Sequence, residues 1–143
     1  MAHEFRMTRR VEFAETDMAG IVHFGVFFLW MEQCEHAFYR ALGLSVVDRE
    51  LKHDMGWPRV KATCEYHSPL RFEDEVGLHL VLRRKGRSSL SWECRFTNES
   101  EGGKLAAVGH MTVVHVSGDP ARGMGAAPIP ESFAAALEPA PEA

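Results

Sequence analysis

The sequence predicts an α+β domain, and three features carry that prediction. Apolar side chains at Phe27, Trp30, Met31, Cys34, Phe38, Ala41 and Leu42 recur with the spacing of one long helix that buries a single face. Between residues 59 and 116, successive runs alternate with period two and are broken by short turn-forming stretches, as antiparallel strands require. The order is one strand, one helix, then strands in succession, without the regular alternation of strand and helix that builds a parallel sheet.

In chain order, Phe5, Met7, Val11 and Phe13 alternate with Arg6, Thr8, Arg10 and Glu12, which predicts a first strand with one buried face. A loop of small residues then leads into the helix, and Gly43 supplies a left-handed stop after it. Residues 45–57 are polar and mixed, and read as a short helix or loop. A second strand is predicted over about 59–67, with Val60, Ala62, Cys64 and Tyr66 on one face. Residues 68–74 form a connection, because Pro69 cannot donate to a central ladder. The third strand spans about 75–84, with Val76, Leu78, Leu80 and Leu82 inward, and Lys85-Gly86-Arg87-Ser88 is a hairpin turn. Leu90, Trp92, Cys94 and Phe96 share one face of the fourth strand. The last strand, 105–116, is apolar on both faces, which places it centrally or at a subunit interface. From about 117 a Gly/Pro/Ala-rich tail holds one short helix near 131–137, and its final residues are expected to fray. The whole chain, 1–143, reads as a single domain.

The chemistry concentrates in the loop before the helix, Glu15-Thr16-Asp17-Met18-Ala19-Gly20-Ile21-Val22-His23-Phe24-Gly25. A carboxylate beside free backbone N–H groups at a helix start can attack or deprotonate while those amides hold a developing oxyanion. The competing reading is that Asp17 only caps the helix. Gly20 permits a turn or a close substrate approach.

Thr16-Asp17-x-Ala19-Gly20-Ile21-Val22, the aromatic-rich helix with Met31-Glu32, and Ala41-Leu42-Gly43-Leu44 resemble the 4-hydroxybenzoyl-CoA thioesterase family of hotdog-fold proteins. Gly56-x-Pro58-x-Val60 and Tyr66-x-x-Pro69-Leu70-x-Phe72-x-Asp74 extend the similarity over roughly residues 5–116. The resemblance implies a curved antiparallel sheet wrapped around one long central helix, and dimers that pair their sheets edge to edge. It also implies an acyl-CoA thioesterase, acting on a small aromatic or short-to-medium aliphatic acyl group. Asp17 would be the base or nucleophile, and the amides of Phe24 and Gly25 the oxyanion donors. His23 departs from the aromatic residue often found at its position; it would contact substrate, assist the acid or begin the helix. Trp57, Phe27 or Met31 would line the acyl pocket. In similar thioesterases the basic hairpin lies near the CoA nucleotide, so Arg87 and Ser88, then Arg84 and Lys85, become candidate phosphate contacts, with Arg59 and Arg71 as alternatives. Glu32 and Glu35 follow on the helix; a buried Glu there would be functional, and the expectation is that they are solvated or face a partner subunit.

Composition narrows the remaining choices. A net charge of −4 offers no global attraction to nucleic acid or anionic lipid, so phosphate recognition requires a local basic patch. No apolar run approaches the length of a membrane span, and the N-terminus lacks a signal peptide's apolar stretch, which predicts a cytoplasmic protein. Cys34, Cys64 and Cys94 all fall on predicted apolar faces and read as buried thiols in a reducing compartment. No metal-ligand spacing, Gly-x-Ser-x-Gly elbow or phosphate-binding Gly-rich loop is present, so neither cofactor nor metal is expected. Two rivals remain: a hotdog hydratase or dehydratase pairing Asp17 with His23, and a non-catalytic acyl-CoA-binding module.

Overall fold

Helix α1 (Val26–Ala41) lies against the concave face of a curved antiparallel sheet, and the apolar stripe read from the sequence is what it buries. The computed structural model describes residues 1–47, 55–119 and 121–142. The strands are β1 (Glu4–Arg10), β2 (Met55–Gly56), β3 (Arg59–Tyr66), β4 (Glu75–Lys85), β5 (Ser89–Asn98), β6 (Lys104–Val114), β7 (Val116–Asp119) and β8 (Gly123–Ala126). The main sheet has the order β1-β4-β5-β6-β3, and a second, three-stranded sheet has the order β2-β7-β8. Phe27, Trp30, Met31, Cys34 and Phe38 from α1 meet Leu78, Leu80, Leu82, Trp92, Cys94, Phe96, Met111 and Val113 from the sheet. Each large side chain so buried contributes about 1.5–3 kcal/mol. At Gly109 the helix comes so close that a Cβ would collide with Met31 Sδ, so any larger residue there would force the Met31 side chain to move.

The α+β class and the helix-in-sheet arrangement agree with the sequence. Several local expectations do not. Phe13 leaves the strand pattern and sits 74% exposed in a 3-10 turn, Phe13–Glu15, because β1 ends at Arg10. In β3, Val60, Ala62 and Tyr66 are exposed and Cys64 is only half-buried, since β3 is the outer strand of the sheet. The last predicted strand is two strands: β6 ends at Val114, and Val116 opens β7 in the second sheet. The tail holds α2 (Glu131–Ala136) as expected, and Ile129, Phe133 and Leu137 are buried in the main core. Beyond it the chain is tied down, with Glu138 N–H donating to Ala2 O at 3.0 Å and Ala140 N–H to Leu82 O at 2.8 Å. Much of the expected loop at 45–57 lies outside the described residues; its end forms β2. Cys34 and Cys94 are buried and all three cysteines are free thiols.

Candidate active site

The Asp17 loop closes on itself before it meets the helix. Asp17 N–H donates to Ile21 O and Gly20 N–H to Asp17 O, each at 2.9 Å, while Ala19 N–H donates to the Asp17 carboxylate, also at 2.9 Å. Gly20 adopts φ +80, a left-handed conformation that favours glycine and lets the loop turn within so few residues. The loop ends are pinned: Thr16 bridges Val22, His23 N–H donates to Glu15 O at 2.9 Å, and Val22 N–H donates to Leu70 O at 2.8 Å.

Asp17 is exposed and lies on the wall of a cavity of about 530 Å³ shared with Ile21, Val22, Phe24, Phe27, Tyr66 and Leu70. The helix start faces the same space. Tyr66 Oη donates to Phe24 O at 2.8 Å, which fixes the peptide that follows Phe24. Burial, with Cys64 beside it, pushes the Tyr66 phenol up to about 12, so it stays a donor at neutral pH. Phe24 N–H has no acceptor among the described residues, whereas Gly25 N–H donates to His23 Nδ1 at 3.0 Å. Of the two expected oxyanion donors, Phe24 is free and Gly25 is occupied. His23, exposed and stacked on Phe24, therefore presents Nε2–H outward when neutral, because its Nδ1 accepts.

The remaining predicted site residues sit elsewhere in the protomer. Trp57 packs on His115 and Phe133 beside Glu35 and Arg59, away from the Asp17 cavity. Glu35 is not solvated: at 2% exposure it accepts from Tyr39 Oη at 2.7 Å and from Arg59 at 2.6 Å, while Glu32 is exposed and 3.3 Å from Arg59. Arg59 is thus spent on carboxylates. Lys85 Nζ donates to Ala134 O at 2.7 Å and Leu137 O at 2.8 Å, so it anchors α2 rather than projecting from the turn. Ser88 is half-buried, and its carbonyl accepts from His115 N–H at 2.7 Å. Arg84, Arg87 and Arg71 are exposed. The hairpin after β4 lies at the far end of an 11-residue strand from the Asp17 loop, which contacts the chain just before β4. At about 3.3 Å per residue that is roughly 35 Å.

One group escaped the sequence reading. Glu15 is largely buried and its carboxylate takes hydrogen bonds from Arg9, Trp30 Nε1 and Glu12 N–H at 2.7, 2.7 and 2.8 Å. The signal was Arg9, a cation in register with Phe5 and Met7 on the inward face of β1, which needs a carboxylate partner.

A curved antiparallel sheet wrapped on one long helix defines the hotdog class of fold. The chain belongs to the thioesterase superfamily, whose family model matches residues 19–104. It is 26% identical over 121 residues to a 1,4-dihydroxy-2-naphthoyl-CoA hydrolase of Prochlorococcus marinus, covering 80% of this chain and 75% of that one. Among solved structures, a gentisyl-coenzyme A thioesterase shares 30% identity with a TM-score of 0.76, covering 90% of this chain and 98% of the other. The fold also matches a 1,4-dihydroxy-2-naphthoyl-CoA thioesterase from Synechocystis, with a TM-score of 0.84 at 22% identity over 93% of this chain and 94% of that one. The protein is a thioester hydrolase.

Proposed function

We propose that this protein hydrolyses a small aromatic acyl-CoA, with Asp17 as base or nucleophile and Phe24 N–H as the oxyanion donor. The observation that carries the reading is that Asp17 and Phe24, whose amide has no acceptor among the described residues, line one cavity whose other walls are mainly apolar. The thioester carbonyl oxygen docks on the Phe24 amide, where the positive end of a 16-residue helix adds to the attraction. Asp17 either takes a proton from water, which attacks the carbonyl carbon, or attacks that carbon itself to give a mixed anhydride that water then opens. In both routes the C–S bond breaks, the thiolate leaves and takes up a proton, and the free acid remains. Phe27 and Tyr66, edge to face at 5.2 Å, suit a flat acyl group. The related 1,4-dihydroxy-2-naphthoyl-CoA hydrolase and gentisyl-coenzyme A thioesterase, both named for coenzyme A esters of hydroxylated aromatic acids, support this choice over an aliphatic one.

The active form is a homodimer or a dimer-based tetramer. β3 offers an unpaired outer edge with Val60 62% exposed, and antiparallel pairing of two copies there would bring the Arg59 end of one strand beside the Tyr66 end of the other. The basic turn, too distant from Asp17 in its own protomer, would then serve a neighbouring subunit's substrate. Three free thiols fit a reducing, cytoplasmic setting. The test is a panel of aryl-, alkyl- and enoyl-CoA esters followed with a thiol reagent. Thiol release fastest with the aryl esters supports the proposal; water addition to enoyl-CoA without thiol release, or binding without turnover, refutes it.

A further inference from the structure

Glu15 is tied to four parts of the fold at once. Its carboxylate receives Arg9 from β1 at 2.7 Å and the indole N–H of Trp30 from α1 at 2.7 Å, and the second oxygen receives Glu12 N–H at 2.8 Å. Its own carbonyl accepts His23 N–H at 2.9 Å, one residue before the free Phe24 amide. The partners are themselves held. Trp30 is fully buried, Arg9 lies over its ring at 4.9 Å, and Arg9 also donates to Gln33 on α1. Two residues beyond Glu15 stands Asp17. The side chain thus fixes the loop to the helix, while the carbonyl fixes the far limb of the same loop. We propose that Glu15 is a positioning residue, setting the separation between the Asp17 carboxylate and the helix-start amide.

The reason this matters is geometric. Attack requires reacting atoms about 3–3.5 Å apart, and a misplacement of about 1 Å costs on the order of 100-fold in rate. Asp17 is exposed, and its side-chain bond among the described residues stays inside the loop, to Ala19 N–H. The loop's own hydrogen bonds set its shape but not its place against α1. That placement comes from the bridge at Thr16 and Val22, the Leu70 contact and the Glu15 cluster, and of these the Glu15 side chain reaches the helix directly.

The proposal rests on the thioesterase reading for its kinetic arm and on none of it for its structural arm. Glu15→Met keeps the volume and removes every acceptor; Glu15→Gln keeps one acceptor oxygen and removes the negative charge that faces Arg9. Thermal unfolding and circular dichroism first establish that each variant is folded. With an aryl-CoA ester, Glu15→Met should lose at least about 30-fold in kcat with KM within about threefold, and Glu15→Gln about three- to tenfold. In parallel, amide hydrogen exchange at His23 should accelerate at least about tenfold in Glu15→Met as its acceptor loosens. A kcat within twofold of wild type, a loss falling mainly on KM, or a kcat loss with His23 exchange unchanged would each overturn the proposal. If Glu15→Met does not fold, Glu15→Gln decides on the same two readouts, and no change in either overturns it. Absence of thioester turnover in the wild type would refute the proposed function instead, while the exchange measurement still decides whether Glu15 holds the loop.

Discussion

Replacing Asp17 with asparagine separates chemistry from loop structure at the cost of one atom's identity. The carboxylate does one visible structural job, accepting Ala19 N–H at 2.9 Å, and an asparagine carbonyl can accept that bond in the same geometry without the charge. An exposed hydrogen bond of this kind is worth about 0.5–1.5 kcal/mol, so Asp17→Asn should unfold within about 0.5 kcal/mol of wild type while Asp17→Ala loses the full bond. The remaining loop bonds, Asp17 N–H to Ile21 O and Gly20 N–H to Asp17 O, are backbone bonds and survive both changes. The chemistry does not survive. An amide neither takes a proton from water nor forms an anhydride, so kcat should fall at least 100-fold, the lower end of acid–base contributions. Steady-state kinetics on an aryl-CoA ester, beside denaturant unfolding of the same samples, provide the assay. The reasoning fails if Asp17→Asn turns over within threefold of wild type, or if Asp17→Ala and Asp17→Asn lose the same activity in proportion to lost stability, which is the pattern of a cap.

Other outcomes follow from particular contacts. Arg87→Ala should raise KM for a CoA ester several-fold, less so at high ionic strength, and leave a truncated thioester without the nucleotide unaffected; equal loss on both substrates would mean damage to the fold. Sedimentation at micromolar concentration should show at least a dimer, and Val60→Glu, a charge on the exposed face of the outer strand, should shift it toward monomer; a fully active wild-type monomer would contradict the shared site. Burial works against the Glu93 carboxylate, but Arg83 at 2.7 Å and His110 outweigh it and hold its pKa below the ordinary 4.5. A folded value below the unfolded one stabilises at pH above about 4.5 and is lost as pH falls through the folded value. Glu93→Gln should therefore lower thermal stability at neutral pH and flatten its decline in acid; a parallel decline in both proteins would remove Glu93 from the acid transition.

The sequence made the helix and the strand faces that α1 covers legible because hydrophobic periodicity reports burial against a single layer. Leu78, Leu80, Leu82, Leu90, Trp92 and Phe96 all point where their alternation says. It misled where burial comes from elsewhere. Val60, Ala62 and Tyr66 alternate as a buried face does, yet in the protomer they lie exposed on the outer strand. β2 and β8 are short and Gly-rich: β2 pairs with β7 across about 60 residues of chain, which no local pattern records, and β8, its hairpin partner, lacks the apolar alternation that marks a strand. The Asp17 loop was readable from its acid, glycine and position before a helix. Glu15 was not, because its role is defined by Trp30 and Arg9, and only the second carried a mark in the sequence. Lys85 shows the converse: a lysine in a basic turn looks like a phosphate ligand until the tail's carbonyls are brought against it.

The count of oxyanion donors decides how the helix start works. Val26 N–H is spent on His23 O at 3.0 Å and Gly25 N–H on His23 Nδ1 at 3.0 Å, while Phe24 N–H has no acceptor among the described residues and is ready to receive a carbonyl oxygen. One such donor lowers a barrier by about 2.7–4 kcal/mol. The bond between Gly25 and His23 is exposed and joins neutral partners, so releasing it costs about 0.5–1.5 kcal/mol. A developing negative charge is a stronger acceptor than a neutral imidazole nitrogen, and charge-assisted bonds are roughly twice as strong as neutral ones. The exchange is therefore downhill once charge builds on the oxygen, and uphill while the substrate carbonyl is still neutral. A donor released on those terms stabilises the transition state more than the ground state, and that difference is what raises kcat. His23→Phe, which cannot accept the bond, should then leave Gly25 N–H free from the outset and lower KM more than it raises kcat; unchanged kinetics would show that Gly25 never takes part.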